Sequence, residues 1–304
     1  DTELDGARHV LRFDGLDTIA TVLLNGEEIG STDNMFYEHE FDVTALLRVG
    51  GNDLEVRFAS AEGVGQERLA AVEGFDEFRY NGKLHNVPSR SFVRKAQYQW
   101  GWDWGPRLLG CGIWRPVRLV RIPTARITDW SWRSTFDANG GATVNVDVAI
   151  EGAAAEVNVA LVGFGTEATA RAAVVNGGAS LSVAVADAQR WWSNGLGEQA
   201  LYDLTITLGD GADTRDARIG LREVELVREP DEVGESFYFR VNGVPIFAKG
   251  ANWIPDDGLP ARTSAERVRA VLETARDCGM NMIRIWGGGL YETGAGGSAP
   301  KHVQ

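Results

Sequence analysis

Apolar and polar residues alternate along most of this chain, and the alternation predicts a protein built mainly of β-strands. Near the start, an apolar run at residues 18–24 leads into Asn25 and Gly26, a pair typical of a two-residue β-hairpin turn. A second run, at residues 54–58, alternates with charged residues, as a half-buried strand would. The polar, glycine-rich residues 61–92 have no clear period and predict loops with at most one short helix.

The alternation is most regular in the second region, residues 124–228. Every second position is valine, leucine or isoleucine in four runs, at 144–150, 157–161, 181–185 and 204–208. Glycine, asparagine and aspartate separate the runs. Several short strands at such spacing are typical of a β-sandwich.

A helical period replaces the alternation in the third region, residues 229–292. Thr263 followed three positions later by Glu266 predicts a capping box at the start of a helix. Gly279 stands where a helix-terminating glycine belongs. Between these signals, apolar residues recur at helical spacing: Val268, Val271, Leu272 and Ala275.

The helix leads into residues 280–286, a largely apolar run that predicts a mostly buried strand. A buried strand after an amphipathic helix is typical of a parallel sheet and of an α/β domain. Because that domain only begins here, we expect the chain to be a fragment that lacks strands at both ends. Residues 293–304 are rich in glycine, alanine and serine, and we expect a disordered tail foreign to the domain.

Composition excludes several classes of function. The hydrophobic fraction of 44% is ordinary for a globular protein, and the net charge of -13 argues against binding to nucleic acid or to an anionic membrane. No run is long and apolar enough to span a bilayer, and we expect a cytoplasmic protein. Cys111 and Cys278 lie far apart and the four histidines are scattered, so the sequence predicts neither a disulfide framework nor a metal site.

One short segment carries candidate chemistry. Trp100, Trp102 and Trp104 alternate with glycine and with Asp103. A structural strand would favour β-branched residues at the glycine positions, whereas glycine allows a ligand to approach the backbone closely. Tryptophan offers a flat apolar face and aspartate two strong hydrogen-bond acceptors. The combination suits a sugar, which has a CH-rich face and a rim of hydroxyl groups.

Four motifs follow one another in the chain: RKAQ, WGWDWGP and GIWRPV within 94–117, WWSNGLGEQ before LY within 191–202, KGANWIP at 249–255, and MNMIRIWGGGLYE at 280–292. Together they resemble glycoside hydrolase family 2 and, within it, the N-terminal portion of the β-mannosidases. The resemblance ends after Glu292, where the glycine-rich tail replaces the acidic and aromatic residues usual in that family.

The resemblance implies a modular enzyme. Its parts are a jelly-roll, galactose-binding-like sandwich over 1–123 with its N-terminal part missing, an immunoglobulin-like β-sandwich over 124–228, and the start of a TIM (β/α)8 barrel over 229–292. The implied activity is that of a retaining exo-β-mannosidase, which removes terminal β-D-mannose from oligosaccharides or glycoconjugates and needs no cofactor. The implied partner is a β-mannoside oligosaccharide, and the oligomeric state stays open.

Retaining hydrolysis needs two carboxyl groups about 5–5.5 Å apart, one acid/base and one nucleophile. The resemblance places both glutamates further along the barrel. We therefore expect no catalytic residue in this chain and no hydrolysis by the chain alone.

Asp103 is the first candidate for sugar binding, because the resemblance places it on a loop of the first domain that reaches the barrel mouth. The alternative is an exposed loop aspartate or an ion-pair partner of Arg107. Trp102 is a candidate for stacking on the sugar. In a regular strand the two neighbours would face opposite ways, so both reach a ligand only if the glycines introduce a loop or bulge. Trp100 and Trp104 are expected in the core.

The other candidates lie at the ends of the predicted barrel strands, where active sites of this fold are built. Trp286 ends the strand at 280–286, and the glycines after it leave room for substrate. Arg284 points the same way, and it either orients a catalytic carboxylate or forms a buried structural ion pair. Asn252 and Trp253 follow the first barrel strand.

Two other functions stay open. A non-catalytic carbohydrate-binding protein would also use Trp102 and Asp103, but it would gain nothing from one strand–helix–strand unit with an unburied face. A family relative that acts on β-galactosides or β-glucuronides would differ in substrate alone. The motifs favour mannose by resemblance.

Overall fold

The described part of the chain is mainly β and divides into two compact units. The computed structural model describes residues 6–72, 87–122, 124–209 and 211–288. The first unit comprises the described residues of Asp1–Pro123, Trp253–Val268 and Ile285–Glu292, and the second those of Thr124–Asn252 and Arg269–Arg284. The domain borders at 123, 228 and 292 stay predictions, and the expected tail at 293–304 lies outside the described residues.

The first unit contains a sandwich of short strands: β1 (Arg8–Phe13), β2 (Leu16–Asp17), β3 (Ala20–Leu24), β4 (Glu27–Thr32), β5 (His39–Asp42), β6 (Leu54–Phe58), β7 (Gly112–Ile113) and β8 (Val117–Ile122). β1 pairs with β5 and β8, β3 pairs with β4 and β6, and β2 pairs with β7, all antiparallel. Side chains of β1 and β3 share one core, in which the Phe13 and Phe41 rings meet edge to face at 6.1 Å between centroids.

The turn between β3 and β4 has the geometry that its sequence predicts. Asn25 has φ +53° and Gly26 has φ +87°, and both values lie in the left-handed region that a type I′ turn requires. The Asn25 side chain also donates to the Leu46 carbonyl at 2.9 Å, which ties the turn to the rest of the sandwich.

The segment between β6 and β7 contains helix α1 (Ala61–Ala70) and two 3₁₀ turns, Pro88–Phe92 and Gln97–Trp100. The prediction of loops with at most one short helix therefore holds for the described part of 61–92. The second 3₁₀ turn delivers the chain into the tryptophan-rich segment.

The second unit contains a larger sandwich of seven strands: β9 (Ala125–Phe136), β10 (Ala142–Gly152), β11 (Glu156–Gly163), β12 (Thr166–Ala173), β13 (Gly178–Val185), β14 (Tyr202–Leu208) and β15 (Asp213–Ile219). The sheets have the orders β13-β10-β9 and β12-β11-β14-β15, and every pairing is antiparallel. Alternate residues of β10, β11, β13 and β14 fill the core, which confirms the four predicted runs. The pattern did not predict β9, β12 or β15, which lie at sheet edges.

A smaller antiparallel sheet follows, made of β16 (Val224–Val227), β17 (Tyr238–Val241) and β18 (Val244–Ile246). A turn at Asn242 and Gly243 joins β17 to β18, with φ values of +50° and +81°.

The predicted strand–helix–strand unit is present as β19 (Gly250–Trp253), α2 (Ala265–Asp277) and β20 (Met282–Ile285). The Met282 amide donates to the Lys249 carbonyl at 3.2 Å, and the Trp286 amide donates to the Trp253 carbonyl at 3.0 Å. Both bonds join residues at the same sequence separation, which is the pattern of parallel strands. The predicted parallel pairing is therefore confirmed.

The cap of α2 differs from the sequence prediction. The Ser264 hydroxyl accepts a hydrogen bond from the Arg267 amide at 3.3 Å, so the helix is capped by Ser264. Thr263 instead donates its hydroxyl to the Asp256 carboxylate. The predicted capping box of Thr263 with Glu266 is wrong because this carboxylate engages the threonine.

The apolar surfaces of α2 and β20 are more exposed than predicted. None of the α2 residues is buried, and Val271 and Leu272 are 48% and 43% exposed. Ile285 is exposed too, so the prediction of a mostly buried strand is wrong. The physical reason is that β20 has one neighbouring strand, β19, among the described residues. Gly279, with φ +76°, follows the helix as predicted.

No helix in the described ranges meets the length and apolarity that a membrane crossing demands. Cys111 and Cys278 are exposed free thiols. Within the same ranges, no three histidine, cysteine or acidic side chains gather as metal ligands.

A buried ion pair lies inside the first unit. The Lys95 ammonium donates to the Asp17 carboxylate, and the Thr18 hydroxyl donates to the same group. Burial lowers the pKa of Lys95, and the negative charge of Asp17 opposes that shift. The carboxylate thus stabilises a charge that the core would otherwise disfavour.

Asp17→Asn should lower the free energy of unfolding by about 3–5 kcal/mol, because the buried ammonium loses its charged partner. Urea denaturation measures the loss. Glu55→Gln is the control, since it breaks the exposed Glu55–Arg57 pair and should leave the unfolding free energy unchanged within error. An equal change in unfolding free energy for the two substitutions would contradict the stabilising role of the Asp17–Lys95 pair.

Candidate functional site

The tryptophan-rich segment is a tight turn. The Trp102 amide donates to the Gly105 carbonyl at 3.0 Å and the Gly105 amide returns a bond to Trp102 at 3.3 Å, which places Asp103 and Trp104 at the tip. Gly101 has φ +101°, a value open to glycine, where the chain leaves the 3₁₀ turn. This is the loop that Trp102 and Asp103 require if both are to reach one ligand.

Asp103 is exposed at the tip of this turn. Its carboxylate has no ion pair and no hydrogen bond within the part of the chain that the structure describes. Arg107, the partner suggested by the sequence, pairs instead with Glu62 at 2.6 Å. The ion-pair alternative is therefore wrong, and both carboxylate oxygens of Asp103 are available as acceptors.

Aromatic rings pack beside the tip. The Trp102 and Trp286 rings meet edge to face with centroids 5.2 Å apart, and Trp104 meets Trp286 at 6.2 Å. Tyr98 lies 5.3 Å from Trp104 and is buried. We call these four residues the aromatic cluster. The structure thus brings together two predicted candidates, Trp102 and Trp286, that are distant in sequence.

Trp100 and Trp104, both expected in the core, differ in their burial. Trp100 is buried in a separate small cluster with Ala61 and Val93, in agreement with the prediction of a core residue. Trp104 is half-buried and belongs to the aromatic cluster, so it borders the candidate site.

Two residues of this region were not predicted from the sequence. The Arg90 guanidinium lies over the Trp102 ring, 5.3 Å from its centroid, as a cation–π contact. Met35 is buried under the cluster, where its sulfur accepts from the Ala96 amide and its carbonyl accepts from the Trp114 indole. Neither residue belongs to a sequence motif, and the segments around them show no regular spacing of apolar residues.

Arg284 and Asn252, both in the second unit, contact each other. The Arg284 guanidinium donates to the Asn252 side-chain oxygen at 3.1 Å, and both residues are exposed. No described carboxylate pairs with Arg284, and its role stays a prediction. An amide partner holds the guanidinium in place without neutralising its charge.

Comparison with known proteins gives two family matches. Residues 1–115 match the family described as glycosyl hydrolase 2 galactose-binding domain-like, and residues 125–222 match the family described as glycosyl hydrolases family 2. The chain belongs to glycosyl hydrolase family 2. Trp102 and Asp103 lie inside the first matched stretch, and the other four candidates follow the second.

Individual relatives are similar to this chain over most of its length. The β-mannosidase B of Aspergillus terreus is 42% identical over 94% of this chain and 34% of its own length. The crystal structure of β-D-mannosidase from Dictyoglomus thermophilum aligns with a TM-score of 0.80 and 40% identity, over 94% of this chain and 36% of that one. A β-glucuronidase of Lactobacillus rhamnosus aligns with a TM-score of 0.61 and 25% identity, over 93% and 43%. The chain spans about a third of the curated relatives' length.

Within this family 2 chain, Trp286 is held from two sides in the first unit. Its amide donates to the carbonyl of Trp253, which is half-buried. A Cβ added at Gly288 would lie 2.6 Å from the Trp286 ring, whereas one added at Gly287 would meet nothing within 4 Å. The space beside Gly288 is thus filled by the Trp286 ring itself, whereas Gly287 is open, and the expectation that the glycines leave room for substrate stays a prediction.

Gly288→Ala should displace the Trp286 ring and destabilise the chain by about 1–3 kcal/mol, because the added methyl overlaps the indole. Near-ultraviolet circular dichroism should show the disturbed aromatic cluster, and urea denaturation the lost stability. Gly287→Ala is the matched control and should change neither. Identical spectra for Gly288→Ala and the unmodified protein would refute this packing.

Proposed function

We propose that this chain is the substrate-binding portion of a retaining exo-β-mannosidase of glycosyl hydrolase family 2, with terminal β-D-mannosides as substrates. The observation that carries the proposal is the identity of about 40% to β-mannosidases over 94% of the chain. The exposed, unpaired Asp103 beside the aromatic cluster supports it from the residues themselves.

Asp103 has the role of fixing the sugar. A carboxylate that accepts hydrogen bonds from two hydroxyl groups binds them more strongly than a neutral acceptor does, and it selects sugars in which the two hydroxyl groups have the matching configuration. The aromatic cluster supplies the apolar wall for the CH-rich face of the ring. Because Arg90 covers one face of Trp102, the sugar would meet the opposite face or an edge of that ring, together with Trp286.

The unit β19–α2–β20 is, in this proposal, the first repeat of a TIM barrel. The ends of its strands carry Trp253, Arg284 and Trp286, and such barrels bind substrate at the carboxyl ends of their strands. Arg284, held by Asn252, is suited to orient a carboxylate. The two reacting carboxyl groups, about 5–5.5 Å apart in retaining enzymes, would come from other residues of the barrel.

A β-glucuronidase is the second candidate, favoured by the alignment at 25% identity. Its substrate carries a carboxylate of its own. An exposed Asp103 without a cationic partner would repel that group, whereas it would accept hydrogen bonds from a neutral mannoside. The charge at the tip therefore favours the mannoside.

Asp103→Ala in the complete protein should cost about 2–4 kcal/mol of transition-state stabilisation, roughly 30- to 1,000-fold in kcat/KM, because sugar hydroxyls lose a charged acceptor. Hydrolysis of an aryl β-mannoside measures the loss. Asp53→Ala, at another exposed aspartate of the same unit, is the control and should leave kcat/KM unchanged. An unaltered kcat/KM in the Asp103 variant would remove Asp103 from the site.

The complete protein should hydrolyse an aryl β-mannoside with a higher kcat/KM than the matching β-galactoside and β-glucuronide. The measurement compares the three substrates at one pH and enzyme concentration. A higher value for either competitor would replace mannose in the proposal. Binding of mannosides without hydrolysis of any of the three would favour the non-catalytic alternative.

A further inference from the structure

Asn194 lies in the loop of residues 191–199, which belongs to the second unit and is not used by the proposed sugar contacts. Its side-chain amide donates to two carbonyl groups, those of Arg276 and Met280, each at 3.0 Å. The Arg276 carbonyl belongs to the last turn of α2, and the Met280 carbonyl lies in the segment that follows the helix end at Asp277. One side chain therefore joins the last turn of the helix to the segment that follows it.

The backbone at this end is also fixed from within. The Met280 amide donates to the Ala275 carbonyl at 3.0 Å and the Gly279 amide to the Arg276 carbonyl at 2.9 Å, the pattern of a Schellman motif. Asn194 adds bonds to carbonyls on both sides of Gly279. The path of the chain from α2 to β20 is thereby held by atoms from a distant loop.

Asn281, the residue after Met280, connects this segment to the residues that lead into β19. The Asn281 side chain accepts from the Lys249 amide at 2.8 Å and donates to the Phe247 carbonyl at 3.1 Å. The Asn281 amide donates to the Lys249 carbonyl at 2.8 Å. These bonds fix the register of β20 on β19, and in that register Arg284 reaches the Asn252 side chain at 3.1 Å.

We infer that Asn194 is a positioning residue: by holding the end of α2 it sets the register that places Arg284 beside Asn252. The inference rests on the proposed function for its effect on catalysis. Its structural part stands on the hydrogen bonds alone.

The loop around Asn194 offers a matched control. The Gln199 side-chain amide donates to the carbonyls of Trp192 and Gly197 at 3.2 and 3.1 Å, so it closes the same loop without touching α2. The Trp192 amide also donates to the Glu198 carbonyl at 2.9 Å. Asn194→Ala therefore removes the two hydrogen bonds to Arg276 and Met280 and leaves the hydrogen bonds within the loop. Gln199→Ala removes hydrogen bonds within the loop and leaves those of Asn194.

The test uses the complete protein at a temperature well below its unfolding transition. Asn194→Ala should lower kcat/KM for an aryl β-mannoside about tenfold, as expected when a site group is displaced. Gln199→Ala should change it less than about twofold, the spread of substitutions that touch no site group. In the Arg284→Ala background, Asn194→Ala should add little further loss, because its effect passes through Arg284.

Hydrogen exchange of the amides at 280–285 separates this inference from the proposed function. Exchange there should be faster in Asn194→Ala than in Gln199→Ala, whether or not the protein hydrolyses mannosides. Equal exchange in the two variants, or multiplicative losses of kcat/KM in the double variant, would overturn the inference. If the unmodified protein fails to hydrolyse mannosides, the proposed function fails, while the exchange result still decides whether Asn194 holds the segment between α2 and β20.

Discussion

The candidate site depends on the way the backbone turns at residues 101–105. Gly101, with φ +101°, releases the chain from a buried 3₁₀ turn, and two hydrogen bonds between Trp102 and Gly105 close the loop at once. A strand in the same place would send Trp102 and Asp103 to opposite faces. The turn instead exposes the carboxylate while Trp102 packs against Trp286, so acceptor and aromatic wall stand side by side.

The same turn rests on a layer of packed residues. Met35 supports the aromatic cluster from below, and Gly288 leaves the space that the Trp286 ring fills. Arg90 covers one face of Trp102 and thereby limits the ring surface open to a ligand. A site of this kind is held by ordinary packing, and its polar group is free because the neighbouring Arg107 is occupied by Glu62.

The sequence predicted much of the fold, because alternate burial leaves a direct trace in the residues. β10, β11, β13 and β14 are central or well-covered strands whose valines and leucines fill the core. β12 and β15 were not predicted because an edge strand is stable with alanine, threonine and arginine, and these residues do not produce an alternation of large apolar side chains. The cap of α2 lies one residue later than predicted because the Asp256 carboxylate, seven residues before Thr263, engages that threonine, and the capping pattern does not include this contact.

The candidate site was predicted less completely than the fold. Tryptophan, glycine and aspartate in one segment, together with the family resemblance, pointed to Trp102 and Asp103, and strand ends pointed to Trp286 and Arg284. The sequence did not reveal the contact of Arg90 with Trp102, nor that Arg284 pairs with an amide, since neither contact follows from a helical or strand period.

The central claim is that the carboxylate of Asp103 holds the hydroxyl groups of a mannoside. A crystal structure of the complete protein with a mannose-configured inhibitor tests it most directly. The account predicts both carboxylate oxygens of Asp103 within hydrogen-bond distance of sugar hydroxyls, with Trp286 against the ring. A bound sugar that contacts neither Asp103 nor the aromatic cluster would contradict it.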